Sequence, residues 1–242
     1  MKLLVVNCNT SRSTTAAIGQ TARSAARPGT EIHATQPSWG VESAEGYFDS
    51  YVSAAAVLDT LITEANGYDG VVMAGYGEHG REGARQALEI PVVDITEASA
   101  QLACLVGHRF GVVTSLTTTV PGIIDNLQTI GLYGRCVGVR ASDIPVLQLN
   151  DDVDRTAAAV AEKATELIAR GADVIVLGCA GMAGLTEAVE TKLAVPVIDS
   201  VSAGVAVAEA VVGLGLRTSK AGPYAPLDPA KATPGWPISS RD

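Results

Sequence analysis

The chain has 242 residues, 47% of them hydrophobic and 18% charged, which is enough apolar material for one large or two small packed cores and excludes a disordered polymer. Its net charge of −9, with no run of Lys or Arg, offers no basic stripe for a nucleic acid. The four cysteines, at positions 8, 104, 136 and 179, lack C-x-x-C spacing, which argues against a zinc site or redox motif and for reduced thiols in a cytoplasmic protein.

At the N-terminus the apolar run Leu3–Val6 is too short for a secretory segment or a membrane span, and reads as a buried strand. Further strand-like runs follow at Gly70–Ala74, Val92–Ile95, Gly111–Thr114, Val174–Gly178 and Val197–Asp199. Between them lie helix-like stretches at Ala54–Ala65, Glu82–Leu88, Thr156–Ala169 and Ser202–Val212. Short β-branched runs alternating with Ala-rich segments predict βαβ units, because parallel strands are apolar on both faces and need crossover helices. From Ala221 onward, Pro223, Pro226, Pro229, Pro234 and Pro237 predict an extended arm.

The sequence also repeats itself. Asp69-Gly-Val-Val-Met-Ala-Gly75 leads on to Ile90-Pro-Val-Val-Asp94, and Asp173-Val-Ile-Val-Leu-Gly-Cys179 leads on to Val195-Pro-Val-Ile-Asp199. Upstream, Leu4-Val-Val-Asn7 matches Gly111-Val-Val-Thr114 in the same way. The expected fold is therefore α/β, with two pseudo-symmetric lobes, each a mostly parallel four-stranded sheet flanked by helices and facing the other across a cleft. The first lobe is assigned residues 1–97 plus 206–242, the second 98–205. Ligands of such sheets bind beyond the carboxyl ends of the strands. That directs attention to the turns at Asn7–Ser11, Gly75–Gly80, Thr114–Thr119 and Gly178–Gly184, with Gly75 and Cys179 in matching positions.

Cys179 follows an apolar strand within Leu177-Gly-Cys-Ala-Gly-Met182, where a helix is expected to begin; the free N–H groups and dipole of a helix N-terminus favour a thiolate. A small residue in tight packing is the structural alternative. Asn9, Thr10, Ser11, Thr114, Ser115 and the backbone around Ala180 and Gly181 are candidate donors to carbonyl or carboxylate oxygens, although Ser and Thr also cap helices in such turns. Asp94 and Asp199 end matching strands and read as structural, while His33 and His108 show no connection to the turns. Gly75-x-Gly77-x-x-Gly80 fits a dinucleotide fingerprint, but not at the first βα turn of its lobe, which makes the match weak.

Taken together, Asn7-Cys-Asn-Thr-Ser11, Glu45-Gly-Tyr-Phe-Asp49, Val113-Thr-Ser-Leu116 with Thr119-Val-Pro121, Leu177-Gly-Cys-Ala-Gly-Met182 and Leu216-Arg-Thr-Ser-Lys220 resemble the hydantoin and allantoin racemases of the aspartate/glutamate racemase superfamily. The resemblance covers nearly the whole chain. It implies a cofactor-independent enzyme in which two cysteines, one per lobe, exchange the proton on a chiral carbon from opposite faces. Cys179 matches the second of these cysteines, and Gly75 stands where the first belongs. The resemblance also places Phe48 and Tyr76 at the pocket.

Three explanations for the missing thiol compete. Glu78 or His79, in Gly75-Tyr-Gly-Glu-His-Gly80, replaces it as acid or base, with His79 ahead. Alternatively, a single cysteine suffices, as in arylmalonate decarboxylase, a superfamily relative. Or Cys8, which stands where the family has proline, supplies the second thiol. Beside Gly75, Tyr76-Gly-Glu-His-Gly80 also departs from the family's common Phe-Gly-Asp-Pro-Gly, which points to a natural subfamily. A two-lobed binding protein without catalysis is the non-enzymatic alternative. No cofactor, metal, nucleic acid or membrane partner is expected; a small-molecule substrate and a homo-oligomer are.

Overall fold

A computed structural model describes residues 1–228, so Pro229, Pro234, Trp236 and Pro237 lie outside the described residues. Eight strands, β1 (Lys2–Asn7), β2 (Glu31–Thr35), β3 (Gly70–Ala74), β4 (Val92–Asp94), β5 (Phe110–Thr114), β6 (Cys136–Ala141), β7 (Val174–Leu177) and β8 (Val197–Asp199), form two sheets. Their orders are β2-β1-β3-β4 and β6-β5-β7-β8, with every registered pair parallel. The duplication read from the sequence is thus a duplication of sheet topology. Strands β1, β3, β5 and β7 are buried almost throughout, as their unbroken apolar runs require.

Among the described residues, eight α-helices flank the sheets: α1 (Arg12–Ala25), α2 (Tyr47–Glu64), α3 (Arg81–Ala87), α4 (Ile95–Val106), α5 (Val120–Thr129), α6 (Val153–Ile168), α7 (Thr186–Glu190) and α8 (Ser200–Gly213). Two of them change sides. Helix α8 follows β8 yet packs on β3, β4 and α1, while α4 follows β4 and packs on β7 and α8. A single apolar cluster consequently runs from Leu3, Val5 and Val72 through Ile95 and Ala98 to Val112, Val174 and Val201. None of the described helices is long and apolar enough to cross a membrane.

The matching aspartates cap the helices that change sides. Asp94 Oδ1 accepts from the N–H groups of Thr96 and Glu97 at the start of α4, and Asp199 Oδ1 accepts from Ser202 N at the start of α8. Asp94 is fully buried, its Oδ2 has no partner, and the Nη1 of the equally buried Arg81 stands 4.0 Å from Oδ1. Burial pushes its carboxyl up to about 7 despite the pull of Arg81. At the chain's other end, Gly222–Tyr224 forms a 3-10 turn, and Tyr224 Oη donates to Glu82 on α3.

A folded-state pKa above the unfolded value means that the protonated carboxyl favours the fold below about pH 4, and that this contribution is lost as pH rises through about 7. Asp94→Asn keeps a capping oxygen and removes the charge. Its stability relative to the native protein should therefore rise between about pH 4 and 7, by up to about 4 kcal/mol, and then level off. Urea denaturation of both proteins across that range checks this; a difference independent of pH would overturn it.

Candidate active site

The carboxyl ends of β1, β3, β5 and β7 bring their turns to one small cavity of about 30 Å³. From the first sheet it is lined by Asn7, Cys8, Asn9, Gly75, Tyr76 and His79, and from the second by Thr114, Ser115, Thr119, Gly178, Cys179, Ala180 and Gly181. Ala44, from the loop before α2, and Val146 close it. That loop is tied to the second half of the chain: Thr118 Oγ1 donates to Glu45 O, Val146 N donates to Glu45 Oε1 at 3.2 Å, and Tyr47 Oη donates to Asp125 Oδ2 at 2.6 Å.

Cys179 sits at the mouth of β7, followed by a single 3-10 turn, Ala180–Met182, and not by the α-helix expected there. The turn still supplies donors. Burial raises the Cys179 thiol, while the Gly181 N–H, the Ser115 side chain and the Met182 N–H pull it back down by stabilising the thiolate. Across the cavity, burial together with the proximity of Cys179 pushes Cys8 up to about 12. The two thiols therefore discourage each other's ionisation, and the better-solvated charge belongs to Cys179.

Gly75 is the point on which the opposite wall turns. A Cβ there would lie 2.4 Å from His79 Cδ2, 2.6 Å from Cys8 Cβ and 3.0 Å from Cys8 Sγ. The first two distances are closer than carbon atoms pack, so a side chain at 75 is incompatible with the present positions of Cys8 and His79. His79 is 5% exposed, its Nδ1 finds no partner, and burial lowers its pKa, so the ring is neutral near pH 7. Gly77 and Gly80 occupy left-handed backbone (φ +123° and +93°), so the spacing that resembles a dinucleotide fingerprint is accounted for by the turn into α3.

The other candidates separate clearly. Asn9 spends its Oδ1 on Asn7 Nδ2 and Ser11 N, which leaves its amide nitrogen for a ligand. Thr114 shares a hydrogen bond with Thr119 at 3.1 Å on the cavity wall. Ser11 instead caps α1, accepting from Thr14 N, and Thr10 Oγ1 donates to Val41 O; neither lines the cavity. Glu78 is exposed, and its Oε1 accepts from Gly80 N and Arg81 N at the start of α3, outside the cavity. Phe48 is 78% exposed on α2 and points no surface into the cavity. Asn7, Thr119 and Val146 were not singled out from the sequence; Asn7 is the last residue of β1, and its place at a strand's carboxyl end was the available signal.

A family profile described as Asp/Glu/Hydantoin racemase matches residues 3–208. Hydantoin racemase from Pseudomonas sp. (strain NS671) is 37% identical over 93% of this chain and 91% of its own length. The Rhizobium meliloti hydantoin racemase is 36% identical over 93% and 94%. The crystal structure of allantoin racemase from Pseudomonas fluorescens is 49% identical, covers 96% of this chain and 100% of its own, and superposes with a TM-score of 0.94. Unliganded arylmalonate decarboxylase, 21% identical over 97% and 96% with a TM-score of 0.58, shares the fold.

Because Cys179 has three donors aimed at its thiolate and Cys8 only its own N–H, alkaline titration of thiolate absorbance should show Cys179 ionising before Cys8. Cys179→Ser should remove the earlier step and bring the Cys8 midpoint below about 12. Ionisation of Cys8 first would overturn this order.

Proposed function

We propose, since this chain belongs to the Asp/Glu/Hydantoin racemase family, that it inverts the chiral carbon of a five-membered cyclic ureide, a hydantoin or allantoin, by proton transfer without a cofactor. The observation that carries the reading is the cavity in which Cys179, with its thiolate-stabilising turn, faces a wall holding two further proton-transfer groups, Cys8 and His79.

In this reading the ring lies between the two walls. Cys179 acts on one face of its chiral carbon, taking the proton as thiolate or returning it as thiol. The electron pair left behind spreads onto the adjacent ring carbonyl, so negative charge builds on oxygen. The Asn9 amide, the Thr114 hydroxyl and the backbone around Ala180 line the cavity and are the groups that would meet that charge, while Ser115, Gly181 and Met182 are directed at the Cys179 sulfur. A hydantoin suits such a site because its ring carbonyls already acidify the carbon–hydrogen bond. The partner acid/base comes from the Cys8–His79 wall, and Glu78 contributes by fixing the start of α3. Cavity closure by the 36–46 loop dries the site and strengthens each of these interactions. A single-cysteine, decarboxylase-like reaction is the weaker reading, since a second thiol lines the cavity.

Proton NMR of L- and D-5-benzylhydantoin and of allantoin in D₂O tests this. Exchange at the chiral carbon with inversion is expected, and Cys179→Ala should slow inversion by about 100-fold or more. Absence of both exchange and inversion with the native protein would overturn the reading, and incorporation of deuterium only on loss of CO₂ from an arylmalonate would favour the decarboxylase.

A further inference from the structure

We propose that Cys8 is the second proton-transfer thiol of this site, standing across the cavity from Cys179 in the space that Gly75 leaves open. The inference rests on the racemase reading and deepens it, by naming which group of the facing wall touches the substrate.

The argument begins with register. In the first sheet Asn7 pairs with Ala74, so Cys8 and Gly75 are the next residues on neighbouring strands. In the second sheet Val113 pairs with Leu177, so Ser115 and Cys179 hold the corresponding places two residues on. Each wall of the cavity therefore presents one adjacent pair, Cys8 with Gly75 and Ser115 with Cys179, and each pair contains one thiol. Between the two walls the thiol has changed strands, a displacement of about 4.8 Å, the spacing of neighbouring strands.

The steric facts tie the change together. With its Sγ 3.0 Å from the place of a Cβ on residue 75, Cys8 brings its sulfur to the space that a side chain at 75 would fill. Its Cβ, only 2.6 Å from that place, could not be there if residue 75 had a Cβ. Glycine at 75 thus leaves open the space into which the Cys8 sulfur reaches. His79 shares the wall, but the part of its ring nearest Gly75 is Cδ2, a carbon that transfers no proton, and the residue is more deeply buried than Cys8. Cys8 and His79 both line the cavity, and of the two it is the Cys8 sulfur that lies against the open space at residue 75.

Two thiols also meet what inversion demands, since each must serve as base in one direction and as acid in the other. From one enantiomer, the carbon–hydrogen bond breaks toward the Cys179 thiolate, which becomes a thiol, and the electron pair moves onto the ring carbonyl. The Cys8 S–H bond then breaks, its proton forms the new carbon–hydrogen bond on the opposite face, and Cys8 is left as thiolate. Turnover of the other enantiomer runs the same steps backward and restores the starting state. Ionising one thiol disfavours ionising the other, so the site does not hold two thiolates at once.

The test is deuterium exchange and inversion of each 5-benzylhydantoin enantiomer in D₂O, with the native protein, Cys8→Ala, Cys8→Ser and Cys179→Ala. In the Cys8 variants inversion should fall by about 100-fold or more, while one enantiomer still exchanges its hydrogen with retention. Cys179→Ala should show the mirror pattern, with exchange confined to the other enantiomer. Retained one-face exchange also shows that the Cys8 variants are folded, and a purely structural role would not select an enantiomer. Inversion by both Cys8 variants within about threefold of the native rate, or equal loss of exchange from both enantiomers in variants with native circular dichroism, would overturn the proposal and leave the racemase reading standing. A native protein that neither exchanges nor inverts would remove the reading on which the proposal rests.

Discussion

The exchange of α4 and α8 between the two halves is the constraint on which the rest of the molecule depends. Each helix begins at the carboxyl end of one sheet and buries its apolar side against elements of the other half, so neither half can complete its core alone. The aspartates that start these helices, Asp94 and Asp199, sit where β4 and β8 end, and their caps fix the direction in which each helix leaves its sheet. Because the cores are continuous, the turns at the ends of β1, β3, β5 and β7 are held opposite one another by packing rather than by a flexible linker. Proton transfer from two faces of one carbon needs that rigidity, since displacement of a reacting group by an ångström is costly.

On this rigid frame the first wall is decided by space. Cys8, Gly75 and His79 crowd around one point, and residue 75 must lack a side chain if Cys8 and His79 are to keep their present positions. The second wall solves the same problem differently, with Cys179 bearing the thiol and Ser115 beside it as a hydrogen-bonding neighbour. The pseudo-symmetry of the fold is therefore kept in the backbone and broken in the side chains. That break also makes the two thiols electrostatically unequal: Cys179 has N–H donors from its turn, and Cys8 faces burial with little compensation.

How much of this could be read from the sequence follows from how strongly each segment is patterned. The buried strands β1, β3, β5 and β7 were legible because parallel strands covered on both faces are apolar without interruption, and the repeated Pro-Val-x-Asp segments marked β4 and β8. The edge strands β2 and β6 were missed. Glu31-Ile-His-Ala-Thr35 is only partly buried and mixes polar with apolar residues, and β6 is interrupted by Gly138 and Arg140. Helix α1 was missed although its buried residues Thr14, Thr15, Ile18, Gly19 and Ala22 recur at helical spacing, because only Ile18 and Ala22 among them are hydrophobic and Thr dominates the rest. Helix α4 was hidden because Ile95 prolongs the apolar strand in sequence, although Asp94 already ends it.

The site was legible in the same uneven way. Residues fixed by a strand end, such as Cys179, Gly75, Thr114 and Ser115, could be placed from topology alone, and the structure brings them together. Residues in the turns themselves could not, because their direction depends on hydrogen bonds that no spacing reveals. Glu78 and His79 are adjacent in sequence, yet the carboxylate turns outward to the N–H groups of Gly80 and Arg81 while the imidazole turns inward. Ser11 is likewise drawn away by its own helix.

Phe48 shows a different limit, set by conformational state. It stands exposed at the start of α2, directly after the loop that closes the cavity. Ala44 of that loop lines the cavity. The loop's ties to the second half are few and lie at its end: Glu45 with Thr118 and Val146, and Tyr47 with Asp125. A loop held by a handful of partly exposed hydrogen bonds is less strongly fixed than the walls beneath it, which belong to a continuous core. The contrast follows from packing: the duplicated sheets carry the two thiols on a continuous core, and the loop is tied to the second half by a few hydrogen bonds at its end.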